Sequence, residues 1–112
     1  MTKPIIPVRF TGELPPARFN MARYVIGAAA ARDARKVALE VVRDASAARP
    51  SEVWTYAEIE DAMLRTASAL LAKGLEPGDR LMIRMPNESG YAILFFGAIA
   101  AGLVPIPSSS QL

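Results

Sequence analysis

From Ser89 to Leu112 the chain carries no charged side chain, and its 13 basic and 11 acidic residues all precede that stretch. An uncharged run of this kind either spans a membrane or is buried inside a protein, and its punctuation separates the two. Gly102, Pro105 and Pro107 divide it. What remains is an apolar helix of about 13 residues, short of the ~20 that a bilayer requires. Ahead of it, Arg80 to Met85 is nearly continuous in apolar residues apart from Arg84, as buried parallel strands tend to be. Pro86-Asn87-Glu88-Ser89 breaks that strand and is placed to cap the next helix. Tyr91, Ile93, Leu94, Phe95, Phe96 and Ile99 make the helix apolar all round, and Gly97 with Ala98 suits close approach to a sheet. Gly102 ends it. Leu103 to Pro107 is then the next strand, parallel to the first through a right-handed crossover. A βαβ unit of this kind has at least one sheet face that chain outside these residues must cover.

At 112 residues the chain is one domain at most. Apolar residues make up 52% and charged ones 21%, the balance of a globular protein rather than a disordered one. The net charge of +2 is spread over interspersed signs, unlike the clustered basic face of a nucleic-acid binder, so no nucleic-acid partner is expected. With no cysteine and no histidine, these residues cannot form disulfides, a Cys/His zinc site or a Ser-His-Asp arrangement. The absence of cysteine fits a cytoplasmic protein. Met1-Thr2-Lys3-Pro4-Ile5-Ile6-Pro7 has no apolar run of signal-peptide length.

Residues 1–19 hold Pro4, Pro7, Pro15 and Pro16, and are expected to form an extended arm whose Ile5, Ile6, Val8 and Phe10 lie on a larger body. Residues 20–112 form the second unit, a partial subdomain. Asn20 is a good N-cap for a helix from Met21 to about Ala34, with Tyr24, Val25, Ala28 and Ala31 near one side. Gly27 weakens that helix and marks a place of close approach. Lys36 to Val42 and Glu52 to Thr55 read as a β-hairpin with a long polar loop, and Trp54 as a cover for the sheet edge. Thr55-Tyr56-Ala57-Glu58 is a capping box. The helix it opens carries Tyr56, Ile59, Met63, Leu70 and Leu71 on one stripe and ends at Gly74.

No candidate catalytic, cofactor-binding or metal-binding residue emerges. Glu58, Glu60 and Asp61 lack the spacing of a calcium loop, and capping occupies Glu58, so they read as a solvated helix face. Ser108-Ser109-Ser110 has neither the Gly nor the Lys of a phosphate loop and reads as a turn after the last strand.

In order, the Val37–Val42 strand, Trp54 to Glu58 at a helix start, Gly74 to Leu81, Met85-Pro86-Asn87-Glu88 and Ala100 to Pro107 resemble the N-terminal part of the AMP-forming acyl-CoA synthetases, in the adenylate-forming superfamily. The resemblance runs from about Phe19 to Leu112. Phe19 to Tyr24 and Ser108 to Leu112 look most like the branch acting on medium-chain and aromatic acids. The resemblance implies an α/β fold: a β-hairpin, helices and a parallel βαβ unit, together an incomplete N-terminal portion of the large domain. It implies a full-length ligase of fatty acid metabolism that uses ATP, Mg²⁺ and CoA to convert a carboxylic acid to an acyl-adenylate and then a thioester. The family's phosphate loop and catalytic lysine match no position here. The 112 residues alone are therefore expected to be inactive and to bind none of these cofactors. The alternative expectation is a small non-catalytic module that forms a homo-oligomer, or binds a partner, through its apolar βαβ end.

Overall fold

The computed structural model of the chain describes residues 11–111. A π-helical turn over Arg23–Gly27 leads into α1 (Ala28–Arg32), followed by β1 (Val37–Val41), β2 (Glu52–Thr55), α2 (Tyr56–Ala72), β3 (Arg80–Met85), α3 (Ser89–Ala100) and β4 (Val104–Ser109). β1 and β2 form an antiparallel pair, while β3 and β4 form a parallel pair in register Arg80↔Val104 through Met85↔Ser109. The expected α/β arrangement of hairpin, helices and βαβ unit is present. Ile5, Ile6, Val8 and Phe10 of the expected arm lie outside the described residues.

Helix α2 begins where its capping box dictates. The Thr55 Oγ1 accepts from the Glu58 amide at 3.3 Å, and the Glu58 carboxylate accepts from the Thr55 amide at 2.8 Å. Two of the orphan donors of the first turn are thereby satisfied. Thr55→Ala is expected to destabilise the protein by about 1 kcal/mol, read as a lower urea midpoint at unchanged slope. At the other end Gly74 adopts φ +92°, a left-handed value that stops the helix at little steric cost.

Helices α2 and α3 pack side by side and join two apolar clusters. In one, Ala22, Ile26, Ile59 and Met63 are buried with Leu39, Trp54, Ile93 and Phe96 against them. In the other, Ala67, Ala98, Ala101 and Leu103 are buried beneath Leu70, Leu75 and Leu81. Trp54 therefore fastens the hairpin to the helices. Gly97 does permit a close approach, but to helix α2: a Cβ there would lie 2.7 Å from the Thr66 Cγ2.

The N-terminal helix departs from the expected pattern in the face it buries. Ala22, Ile26, Ala29 and Ala30 are buried, whereas Tyr24 is 67% and Val25 41% exposed. Two apolar stripes compete on this helix, and the inner one, at intervals of four and three or four, is built from smaller residues that fit closely against α2. Asn20 sets the orientation. Its Oδ1 accepts from the Arg23 amide at 3.2 Å while its Nδ2 donates to the Ile99 carbonyl of α3 at 2.8 Å. One side chain thus caps the first helix and ties it to the last.

Candidate functional site

Parallel strands separated by a helix leave a crevice beyond their carboxyl ends, where ligands of open α/β sheets bind. Here Met85 ends β3, Pro86 and Asn87 follow it, and Ser108 to Gln111 close β4, lining a crevice of about 510 Å³ with Tyr91 between them. Tyr91 stands on the first turn of α3 and its hydroxyl donates to the Ser108 carbonyl at 3.1 Å. β4 runs through Ser109. Ser108 and Ser109 are thus strand residues paired with Arg84 and Met85, and only Ser110 and Gln111 belong to the turn. Sequence spacing did not foretell the meeting of Tyr91 with Ser108, which depends on the crossover.

The crevice is polar but neutral: no Lys or Arg lines it. Among the described residues no three His, Cys, Asp or Glu side chains cluster to hold a metal ion. This donor set can hydrogen-bond an uncharged polar group. It does not fit a magnesium-bound triphosphate, which needs carboxylate or phosphate-loop oxygen ligands and compensating cations.

Beside the crevice a second cleft of about 560 Å³ lies between β1 and α3, floored by Ala92, Phe95 and Phe96. The two halves of the fold are joined near its mouth. Glu52 of β2 accepts from the Ser89 hydroxyl at 3.1 Å and pairs with Arg43 at 3.1 Å. Ser89, at the start of α3, is the one buried polar side chain among the described residues. The expected side-chain cap from the Pro86–Ser89 segment does not form on Glu88; Ser89 turns instead to the hairpin.

Glu58 and Asp61 on α2 are exposed, as their spacing implies, whereas Glu60 is half-buried, its carboxylate lying beside Gly27 of the N-terminal helix. Asp61 pairs with Arg65 at 2.9 Å, both side chains more than half exposed. Asp44 is held below the usual carboxylate range by hydrogen bonds from the Ser46 hydroxyl and then its amide, in a fully exposed loop turn. That arrangement shapes a turn.

Residues 27–112 match the family model of the AMP-binding enzyme. The salicyl-AMP ligase / salicyl-S-ArCP synthetase of Mycobacterium tuberculosis is 36% identical over 46% of this chain and 9% of its own length. The long-chain-fatty-acid–CoA ligase FadD13 of the same organism is 38% identical over 52% of this chain and 12% of its own. The chain spans about a tenth of the length of the curated relatives it matches. The fatty acid AMP ligase from Legionella pneumophila superimposes with a TM-score of 0.70, over 79% of this chain and 15% of that one. At 22% identity, that likeness is one of fold.

Proposed function

The chain belongs to the family of AMP-binding enzymes, and we propose on that premise that its 112 residues are the N-terminal scaffold of an acyl-CoA synthetase. Such an enzyme activates a carboxylic acid with ATP, releasing pyrophosphate, and passes the acyl group from the adenylate to the thiol of CoA. The observation that carries the reading is the β3-α3-β4 unit, lying wholly inside the family match. Its helix is apolar on every side, and its sheet is open on one face. The names of the relatives, salicyl-AMP ligase and long-chain-fatty-acid–CoA ligase, support acid activation as the shared step.

In this reading the described residues position and do not react. The ligands of ATP and Mg²⁺, the acyl pocket and the thiol channel come from chain outside these residues. None of the residues described here is assigned a catalytic role. The acid and CoA reach the protein through that remainder, in the cytoplasm, as part of fatty acid metabolism. No helix among the described residues is long and apolar enough to cross a membrane.

Pyrophosphate exchange tests the reading directly. The 112-residue chain is expected to show no acid-dependent exchange of labelled pyrophosphate into ATP across aliphatic and aromatic acids. The full-length protein as encoded is expected to have a mass several-fold above 12.0 kDa, to exchange with at least one acid, and to release AMP when CoA is added. Exchange by the short chain, or none by the full-length protein with any acid, contradicts the reading.

A further inference from the structure

Helix α3 lacks the usual means of fixing its first turn. Its N-cap, Glu88, makes no side-chain cap, and the turn holds no acidic residue. The helix is apolar on every side, so burial alone does not choose its rotation. Its close contact with α2 lies at Gly97, roughly two turns away. Two polar tethers act at the start instead. The Ser89 hydroxyl donates to Glu52 of β2 at 3.1 Å, and the Tyr91 hydroxyl donates to the Ser108 carbonyl of β4 at 3.1 Å. Positions two apart on a helix lie about 200° apart around its axis, so the tethers hold opposite sides of the turn.

The Ser89 tether is the stronger of the two. Its donor is buried and its acceptor is a carboxylate, and hydrogen bonds to charged groups are roughly twice as strong as neutral ones. The other oxygen of Glu52 pairs with Arg43, whose side chain is 54% exposed, so that outer pair contributes little. What the tethers hold is the wall between the crevice and the cleft. Asn87, Tyr91 and Pro107 line both. Asn87 and Tyr91 flank Ser89 in the chain, two residues to either side. Glu52 and Ser89 themselves line neither cavity.

We propose that Glu52 and Ser89 are positioning residues for the strand-end crevice. Their hydrogen bond sets Asn87 and Tyr91, and these hold an uncharged polar group of a reactant there. The inference rests on the synthetase reading, in which the reactants are a carboxylic acid, ATP and CoA.

Steady-state kinetics on the full-length protein as encoded test this, with the three reactants varied in turn. Glu52→Ala and Ser89→Ala are each expected to raise KM for at least one reactant about fivefold or more, with kcat changed less than about twofold, the pattern of lost binding. The double variant is expected to match the single ones, because each removes the same bond. Glu52→Gln keeps an acceptor for Ser89 and is expected to restore the parent KM. Thr55→Ala removes a cap three residues from Glu52 and leaves the tether, and its KM values are expected to equal the parent's. Unchanged KM in both alanine variants overturns the proposal, as does a KM change shared with Thr55→Ala. The Tyr91 amide, which donates to the Glu88 carbonyl, reports on position without activity. Its hydrogen exchange is expected to be at least about tenfold faster in Ser89→Ala than in the parent and unchanged in Glu52→Gln. Equal rates in Ser89→Ala and the parent also overturn the proposal. A parent with no acid-dependent pyrophosphate exchange sinks the synthetase reading, and the Tyr91 amide then decides the positioning alone.

Discussion

Replacing Gly97 by alanine is expected to destabilise the protein by about 1–3 kcal/mol, through overpacking between α2 and α3. The sign is the informative part. At a solvent-exposed position inside a helix, Gly→Ala stabilises by up to ~1 kcal/mol because it restricts the unfolded chain. At Gly97 the added Cβ would sit 2.7 and 2.8 Å from the Thr66 Cγ2 and Cβ, and 3.2 Å from the Met63 carbonyl oxygen. None of these can step aside cheaply. The Thr66 hydroxyl is tied back to the Ala62 carbonyl at 2.8 Å, and the Met63 oxygen is helix backbone. The helices must separate, loosening Ala67 and Ala98 on one side and Met63 on the other. Gly97→Leu is expected to prevent the pair from forming, seen as loss of the cooperative urea transition. Gly90→Ala is the control. Its Cβ would meet the Met85 Cε at 3.1 Å, the tip of a flexible side chain, and its stability is expected to stay within about 0.5 kcal/mol of the parent. A Gly97→Ala protein as stable as that control would mean the helices are not in close contact at this point.

Ile83→Ala and Met63→Ala are each expected to cost about 2–5 kcal/mol, the sum of lost transfer free energy and an uncollapsed cavity. These side chains are 1% and 2% exposed and are the largest fully buried ones among the described residues. They anchor different parts of the structure: Ile83 lies in the parallel pair, and Met63 in the cluster where the hairpin and the N-terminal helix meet α2. With a total stability of 5–15 kcal/mol typical of a domain, either loss removes a large fraction of it. Asp61→Ala on the same helix as Met63 sets the scale. It breaks an exposed ion pair and is expected to change stability by no more than about 0.5 kcal/mol. Equal effects at positions 61 and 63 would refute the assignment of α2's buried face. Urea titration at matched slope measures all three.

The physical reach of sequence reading can be judged from particular elements. The α2 start was legible because a capping box is satisfied entirely by neighbours three residues apart. The β3-α3-β4 unit was legible because the absence of charge from Ser89 onward, the breaks at Gly102, Pro105 and Pro107, and the length between them leave few alternatives. The face of the first helix was not. Tyr24 and Val25 look like core residues by type, but which stripe turns inward is decided by the fit against α2 and by the Asn20 tie to Ile99, contacts distant in sequence. Gly97 was legible as a point of close approach but not its partner, because α3 is apolar all round and so carries no directional signal.

The sequence by itself determined the class of the fold and the order of its elements, since these rest on local periodicity, caps and turns, and its ordered motifs carried the family resemblance. Only the tertiary structure decided that Tyr91 meets Ser108 at the strand ends and that Ser89 reaches Glu52 across the fold. Each depends on register or on the angle between elements. Those are set by the joint packing of distant side chains, which no window along the chain contains.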